Sequence, residues 1–229
     1  MDAPVPQRPG VVRVTLSPLR QFVLAAALWL PMAFFLWAVF ASVVVWPVAR
    51  IADLVLPAWL PQVISAIEQA GAQLEVVTRL QTAAGAGRVG VLVLTVNPLI
   101  YAWCVALYAG LVMATPLGGR QRLLQLGLGL LVLLLTTSWG AVFDVLKMLH
   151  FNAGPLGAAA VERAGIAPDA IALGYQFGYL ILPAVTPIAL WLLLNRRFLE
   201  QLVGWSGEPR PAADGPPPAM DAERNEDSR

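Results

Sequence analysis

At 229 residues the chain has room for one bundle and little else, and 58% of those residues are hydrophobic. Charged residues make up only 13%, about half the share of an ordinary soluble domain, which excludes that class. The net charge of +1 comes from scattered arginines and a single lysine with no basic stripe, which excludes nucleic-acid binding, and the lone Cys104 excludes an internal disulfide or a CxxC metal knuckle.

The segment 1–20 carries Pro4, Pro6 and Pro9 and reads as a disordered tail. A first apolar stretch, about 21–48, follows. Val39-Phe40-Ala41 resembles a weak signal cleavage site, but the apolar run is too long for a signal h-region and continues past it, so the helix is expected to be retained. The region 49–97 is patterned. Over 51–70, Ile51, Leu54, Val55, Trp59, Val63, Ile64 and Ile67 fall at near-helical spacing broken by Pro57 and Pro61, which predicts a broken amphipathic helix along the membrane surface. The β-branched runs 74–80 and 89–96, joined by a Gly/Ala connector, predict a two-stranded hairpin over 74–96. An isolated hairpin is marginal in water, so it either packs on the preceding helix or adds its edge to a partner. Asn97-Pro98 ends the strand and starts a second apolar helix, about 98–115.

A third stretch occupies about 123–146 and has no ionisable side chain from 123 to 143. A fourth, about 173–195, opens on Gly174-Tyr175-Gln176-Phe177-Gly178-Tyr179, with paired tyrosines and paired glycines each four residues apart, and Pro183 and Pro187 are expected to kink it. About 20 apolar residues of helix cross a bilayer core, so the sequence predicts an all-α polytopic membrane protein: four transmembrane helices with a small periplasmic helix and a β-hairpin inserted. The connection 147–172 is the second outer loop. The segment 200–229, rich in proline and charge, reads as a disordered tail.

Orientation follows from the arginines. Arg8, Arg13 and Arg20 precede the first span, Arg120 and Arg122 occupy the short link between spans two and three, and Arg196 and Arg197 follow the fourth. The excess of positive charge at these three places puts both termini in the cytoplasm and the loops 49–97 and 147–172 outside the inner membrane. Arg50 dissents, though a long side chain at a helix end can snorkel to the interface.

Few groups carry chemistry. Asp144, Lys147 and His150 recur every third residue at the outer end of span three and share a helical face. An Asp144–Lys147 ion pair that makes each charge tolerable is the bland reading, and a polar contact site for another membrane protein the sharper one. Cys104 and His150 are single residues of their types and form the one conceivable thiol couple. The alternative they support, a membrane-embedded thiol peptidase or transferase, lacks any accompanying oxyanion-hole glycine, and the two positions differ in depth. A non-enzymatic role, without metal or cofactor, is therefore expected. Asn97, Tyr101, Tyr175 and Tyr179 are read as interhelical hydrogen-bonding or packing groups that also qualify as partner contacts, with Gln176 between the tyrosines. Arg79 is either an edge-blocking charge or a partner contact.

Leu74-Glu75-Val76-Val77-Thr78-Arg79-Leu80, Gly87-Arg88-Val89-Gly90 leading to Val96-Asn97-Pro98-Leu99-Ile100-Tyr101, Trp139-Gly140 with Phe143-Asp144-Val145-Leu146-Lys147, and Leu173-Gly174-Tyr175-Gln176-Phe177-Gly178-Tyr179-Leu180-Ile181-Leu182-Pro183 together resemble the exosortase H-associated membrane proteins over about 19–199. The resemblance implies an accessory protein of a Gram-negative sorting system. In such a system a polytopic exosortase processes proteins bearing a C-terminal signal of short motif, membrane span and basic cluster. The partner implied is the exosortase or its sorting-signal substrate, and no catalytic residue follows from the likeness.

Overall fold

The computed structural model describes residues 17–83 and 89–204; the predicted tails, in their parts 1–16 and 205–229, and the connector 84–88 lie outside these. Helix α1 (Pro18–Val39) starts where sequence rules say it should, with Pro18 in its first turn and the Ser17 hydroxyl accepting from Arg20 N at 3.4 Å. Phe40 interrupts the helix, and α2 (Ala41–Trp59) follows. Phe40 N still donates to Leu36 O and Val44 N to Phe40 O, so the ladder continues across the break. α1 and α2 barely touch, as successive parts of one bent rod do and antiparallel neighbours do not.

The strands are β1 (Ile64–Ala70), β2 (Gln73–Ala83) and β3 (Val89–Val96), and they form an antiparallel sheet in the order β1-β2-β3. The expected hairpin is therefore present as β2 and β3, with a third strand added. Segment 64–70, predicted as the end of an amphipathic helix, is that strand. The reason is a bulge: Ile64 pairs with Thr78 and Ala66 with Val77, so one residue is inserted and Ile64 and Ile67, three apart, both point inward. A strand with an inserted residue mimics helical spacing. The loop Gly71-Ala72 joins β1 to β2, with Gly71 at φ +64°, a conformation that glycine adopts without strain.

The sheet packs on its own chain, the first of the two fates expected for the hairpin. The Asp53 carboxylate on α2 accepts from Ile67 N at 2.9 Å, and Leu74, Val76, Leu94 and Val96 are buried with Ala49, Ala52 and Leu56 of α2. Helix α3 (Leu99–Ala114) returns, and α4 (Gly119–Lys147) runs back, continuing as a π-helical turn over Met148–Asn152. Next come α5 (Gly154–Arg163) within the expected second loop and α6 (Pro168–Gln176), then a π turn over Phe177–Ile181, α7 (Leu182–Leu194) and α8 (Arg196–Val203). The π turn sits where the sequence predicts a kink. Pro183 has no N–H for the Tyr179 carbonyl, and its ring crowds that carbonyl, so the preceding turn widens.

Among the described residues four helices are long and apolar enough to cross a membrane: Pro18–Val39, Ala41–Trp59, Gly119–Asn152 and Pro168–Leu194. They differ from the four predicted. The expected 21–48 stretch divides at Phe40, and the expected 98–115 span is the shorter apolar helix Leu99–Ala114. At 1.5 Å per residue the continuous Gly119–Asn152 rod measures about 50 Å, roughly 20 Å more than a hydrocarbon core. The surplus carries the sheet. Val142, Val145, Leu146 and Leu149, at one end of this rod, pack in the same core as the strands. A second core of Cys104, Tyr108, Val112, Leu133 and Trp191 lies toward the other end. Large side chains on the outside of the bundle, including Leu24, Leu28, Phe35, Leu131, Leu135 and Leu193, are exposed, as lipid contact requires.

Candidate functional site: a tyrosine and ion-pair cluster below the sheet

Five of the residues singled out from sequence meet where α3, α4 and α6 converge. Lys147 Nζ lies 2.8 Å from Asp144 Oδ1, one helical turn apart. The same ammonium stands 3.8 Å from the centre of the Tyr175 ring. Tyr175 stacks on Tyr179 at 5.8 Å with the planes 3° apart, and Tyr179 meets Tyr101 edge-on at 6.2 Å. One cation is thus shared between a carboxylate and an aromatic face, an arrangement that lowers the cost of withdrawing both charges from water.

Packing explains the convergence. Gly140 on α4 leaves the space that the Tyr101 ring fills, and Gly178 on the π turn lies against the Gly140 backbone, so α3 and α6 both close on the same stretch of α4. Gly174 plays the same part against Phe143, and the Trp139 indole N–H donates to Gly174 O at 3.1 Å. The paired glycines read from sequence as close-approach points do serve that purpose. Tyr101 is fully buried, with Asp144 and Tyr175 close to its hydroxyl. Asp144 is only 6% exposed, while Tyr179 and Gln176 face outward. The cluster therefore has a buried carboxylate at its floor, a partly exposed lysine above it and an exposed ring, Tyr179, at its rim.

The other candidates lie apart from it. His150 falls in the π turn Met148–Asn152 that follows α4. Its ring meets Phe151 edge-on at 4.6 Å, and its Nδ1 is buried without a hydrogen-bond partner. Asn97 stands just before α3, whose N-cap is Pro98, and its side-chain oxygen accepts from Leu99 N at 3.1 Å. Arg79 is exposed beside the irregular stretch of β2 that follows Val77, and its N–H donates to Val63 O at 2.7 Å.

Cys104 is fully buried, with its thiol 3.2 Å from Tyr101 O and 4.0 Å from Thr137 Oγ1. Thr137 and His150 stand thirteen positions apart along the continuous rod, about 20 Å by helical rise, so the structure does not bring the thiol and the imidazole together. A nucleophile and its base need hydrogen-bond reach.

Sequence reasoning missed a second polar network at the opposite end of the bundle. Gln125 on α4 and Asn195 after α7 exchange reciprocal side-chain amide bonds, each 3.1 Å. Asn195 also donates to Trp191 O at 2.9 Å, the Trp191 indole to Thr115 Oγ1 at 3.0 Å, and the Tyr108 hydroxyl to Gln125 O at 2.8 Å. Phe22 of α1 stacks on Trp191 at 5.5 Å. The signal lay in Gln125 and Asn195, amides at the margins of apolar runs. In lipid, such interhelical bonds substitute for a hydrophobic force that helix association lacks there.

The chain matches the exosortase H-associated membrane protein family over residues 16–198, most of its length. Neither the curated proteins nor the solved structures compared with it give a match.

Proposed function

Because the chain belongs to the exosortase H-associated membrane protein family, we propose that it is a non-enzymatic accessory protein of the inner membrane that binds an exosortase, or that enzyme's sorting-signal substrate, on the periplasmic side. The observation that carries this reading is the cluster of Asp144, Lys147, Tyr101, Tyr175 and Tyr179. Its carboxylate is buried and balanced by Lys147, Tyr179 faces outward beside Gln176, and it lies on the stretch of α4 that also packs in the core with the sheet. Aromatic groups backed by a rigid floor are the usual anchors of protein interfaces. The separation of Cys104 from His150 favours a partner over a thiol enzyme.

Co-purification with exosortase H tests the surface. Tyr179→Ala, and the isosteric pair Asp144→Asn with Lys147→Met, are each expected to weaken recovery of the enzyme at least about fivefold, the loss typical of an interface anchor, with membrane insertion unchanged. Undiminished recovery in both variants overturns this surface. If recovery of the enzyme holds while cross-linking to a sorting-signal protein falls, the cluster contacts substrate. Cys104→Ala is expected to leave sorting intact, and complete loss of sorting with normal insertion would establish the thiol reading in its place.

Orientation has its own test. The arginines Arg20, Arg120, Arg122, Arg196 and Arg197 belong to the bundle end remote from the sheet, which favours a cytoplasmic placement of that end. A reporter inserted near Gly85 is expected to be active in the periplasm, and one following Arg229 in the cytoplasm. Cytoplasmic activity at Gly85 would invert the assignment.

A further inference from the structure

The end of the bundle remote from the sheet holds a cavity of about 540 Å³ between the start of α4 and the start of α8. Its lining is divided. Gln121, Gln201, Arg196 and Arg197 supply polar groups, while Leu124, Leu193 and Phe198 supply an apolar wall. The floor is built: Asn195 is 3% exposed and fixed by Gln125 and Trp191, so the turn that presents Arg196 and Arg197 is held in place. Arg122, next to Gln121 in the chain, has its Nε buried without a hydrogen-bond partner, and only its Nη2 reaches Thr115 O, at 3.4 Å.

Charge at this end is one-sided. Arg20, Arg120, Arg122, Arg196 and Arg197 face a single carboxylate among the described residues, Glu200, and none of them forms an ion pair with a described carboxylate. Helix α8 is strongly amphipathic, with Phe198 and Leu199 packed against the bundle core and Arg197, Glu200 and Gln201 exposed. Such a helix lies at a water–lipid boundary, and the cavity beneath it opens beside the apolar ends of α4 and α7.

We propose that this cavity is a binding site for one acidic phospholipid, with the headgroup phosphate held by Arg196 and Arg197 and an acyl chain along Leu124, Leu193 and Phe198. Both halves of the lining are needed for this occupant. A free phosphate has no use for the apolar wall, and a zwitterionic lipid brings a cation of its own up against the arginines.

The full chain, purified in a neutral detergent, is titrated with phosphatidylglycerol, phosphatidylcholine or inorganic phosphate, and bound lipid is read by native mass spectrometry alongside the unfolding temperature. Phosphatidylglycerol is expected to bind at one site per chain and to raise the unfolding temperature, while phosphatidylcholine and inorganic phosphate do neither. Arg196→Gln with Arg197→Gln is expected to weaken phosphatidylglycerol about thirtyfold, from roughly a fivefold loss per arginine near a membrane surface. Arg196→Lys with Arg197→Lys keeps the charge and is expected to retain most of the binding. The proposal is overturned if the two lipids bind alike, if inorganic phosphate protects as well as the lipid, or if the glutamine variant folds and binds unchanged. It is also overturned if lipid binds only after removal of 205–229, since the chain's own carboxylates would then be the occupant.

Discussion

Replacing Gly140 by leucine is expected to destabilise the protein by roughly 3 kcal/mol and to lower the yield of folded material sharply, because overpacking a close-packed contact typically costs 1–3 kcal/mol and here two helices meet at one residue. Any side chain at Gly140 enters the Tyr101 ring, and Gly178 packs on the Gly140 backbone from α6's side. Neither neighbour can yield cheaply. Tyr101 is fully buried, and Gly178 meets Gly140 backbone to backbone. The control lies on the same helix. Gly127 has nothing within 4 Å of where a Cβ would stand, so Gly127→Ala is expected to be neutral or to stabilise by up to about 1 kcal/mol through helix propensity. Thermal unfolding of both variants in detergent checks the contrast. Equal shifts would mean that α3 and α6 do not close on α4 at Gly140.

Lys147→Ala is expected to cost roughly 2 kcal/mol. Removing one partner of a buried ion pair costs about 3–5 kcal/mol, because the remaining charge stays buried without compensation, and partial access of water to this pair lowers the figure. Asp144 is the partner left behind, with its side chain 8% exposed against 30% for that of Lys147. An asymmetry follows. Asp144→Asn is expected to be milder, since the lysine ammonium can reach water and keeps its Tyr175 face, whereas the carboxylate has neither escape. Joining Lys147→Met to Asp144→Asn is expected to recover most of the loss, and the cycle of single and double variants measures the coupling directly. Additive losses would mean that Asp144 and Lys147 act independently.

The cluster that these experiments probe was half legible. Tyr175 and Tyr179 four apart, Gly174 and Gly178 beside them, and Asp144 with Lys147 one turn apart are local spacings, and local spacing on a helix is a geometric statement. That Tyr101 joins them, from more than forty residues away, depends on the void at Gly140, which only a packed neighbour reveals. His150 lies just past Lys147, and the ring it meets is that of Phe151. The reciprocal pair of Gln125 and Asn195 went unseen because neither amide carries a local signature of its partner.

The strand Ile64–Ala70 shows the limit of periodicity most plainly. Ile64 and Ile67 are spaced as on a helix, and a single inserted residue at the bulge gives a strand the same inward pair. Two-residue hairpins lean on their turn, and the Gly71-Ala72 loop held the missing clue beside a pattern that pointed elsewhere.

By itself the sequence determined that long apolar helices dominate, that a β-rich insert separates the first from the next, that arginines gather near the chain ends and the short α3–α4 link, and that the chain belongs to its family. Those properties reside in composition, run length and motif, which are readable one segment at a time. Tertiary structure alone decided that the first apolar stretch bends at Phe40 into two helices, that the insert has three strands seated on α2, and that Tyr101 meets Tyr179 at the cluster while Cys104 stays remote from His150. Each of these turns on which surfaces find each other across the fold, and in a chain with apolar side chains on nearly every helical face, hydrophobicity no longer says which face turns inward. Glycine voids and paired polar groups make that choice.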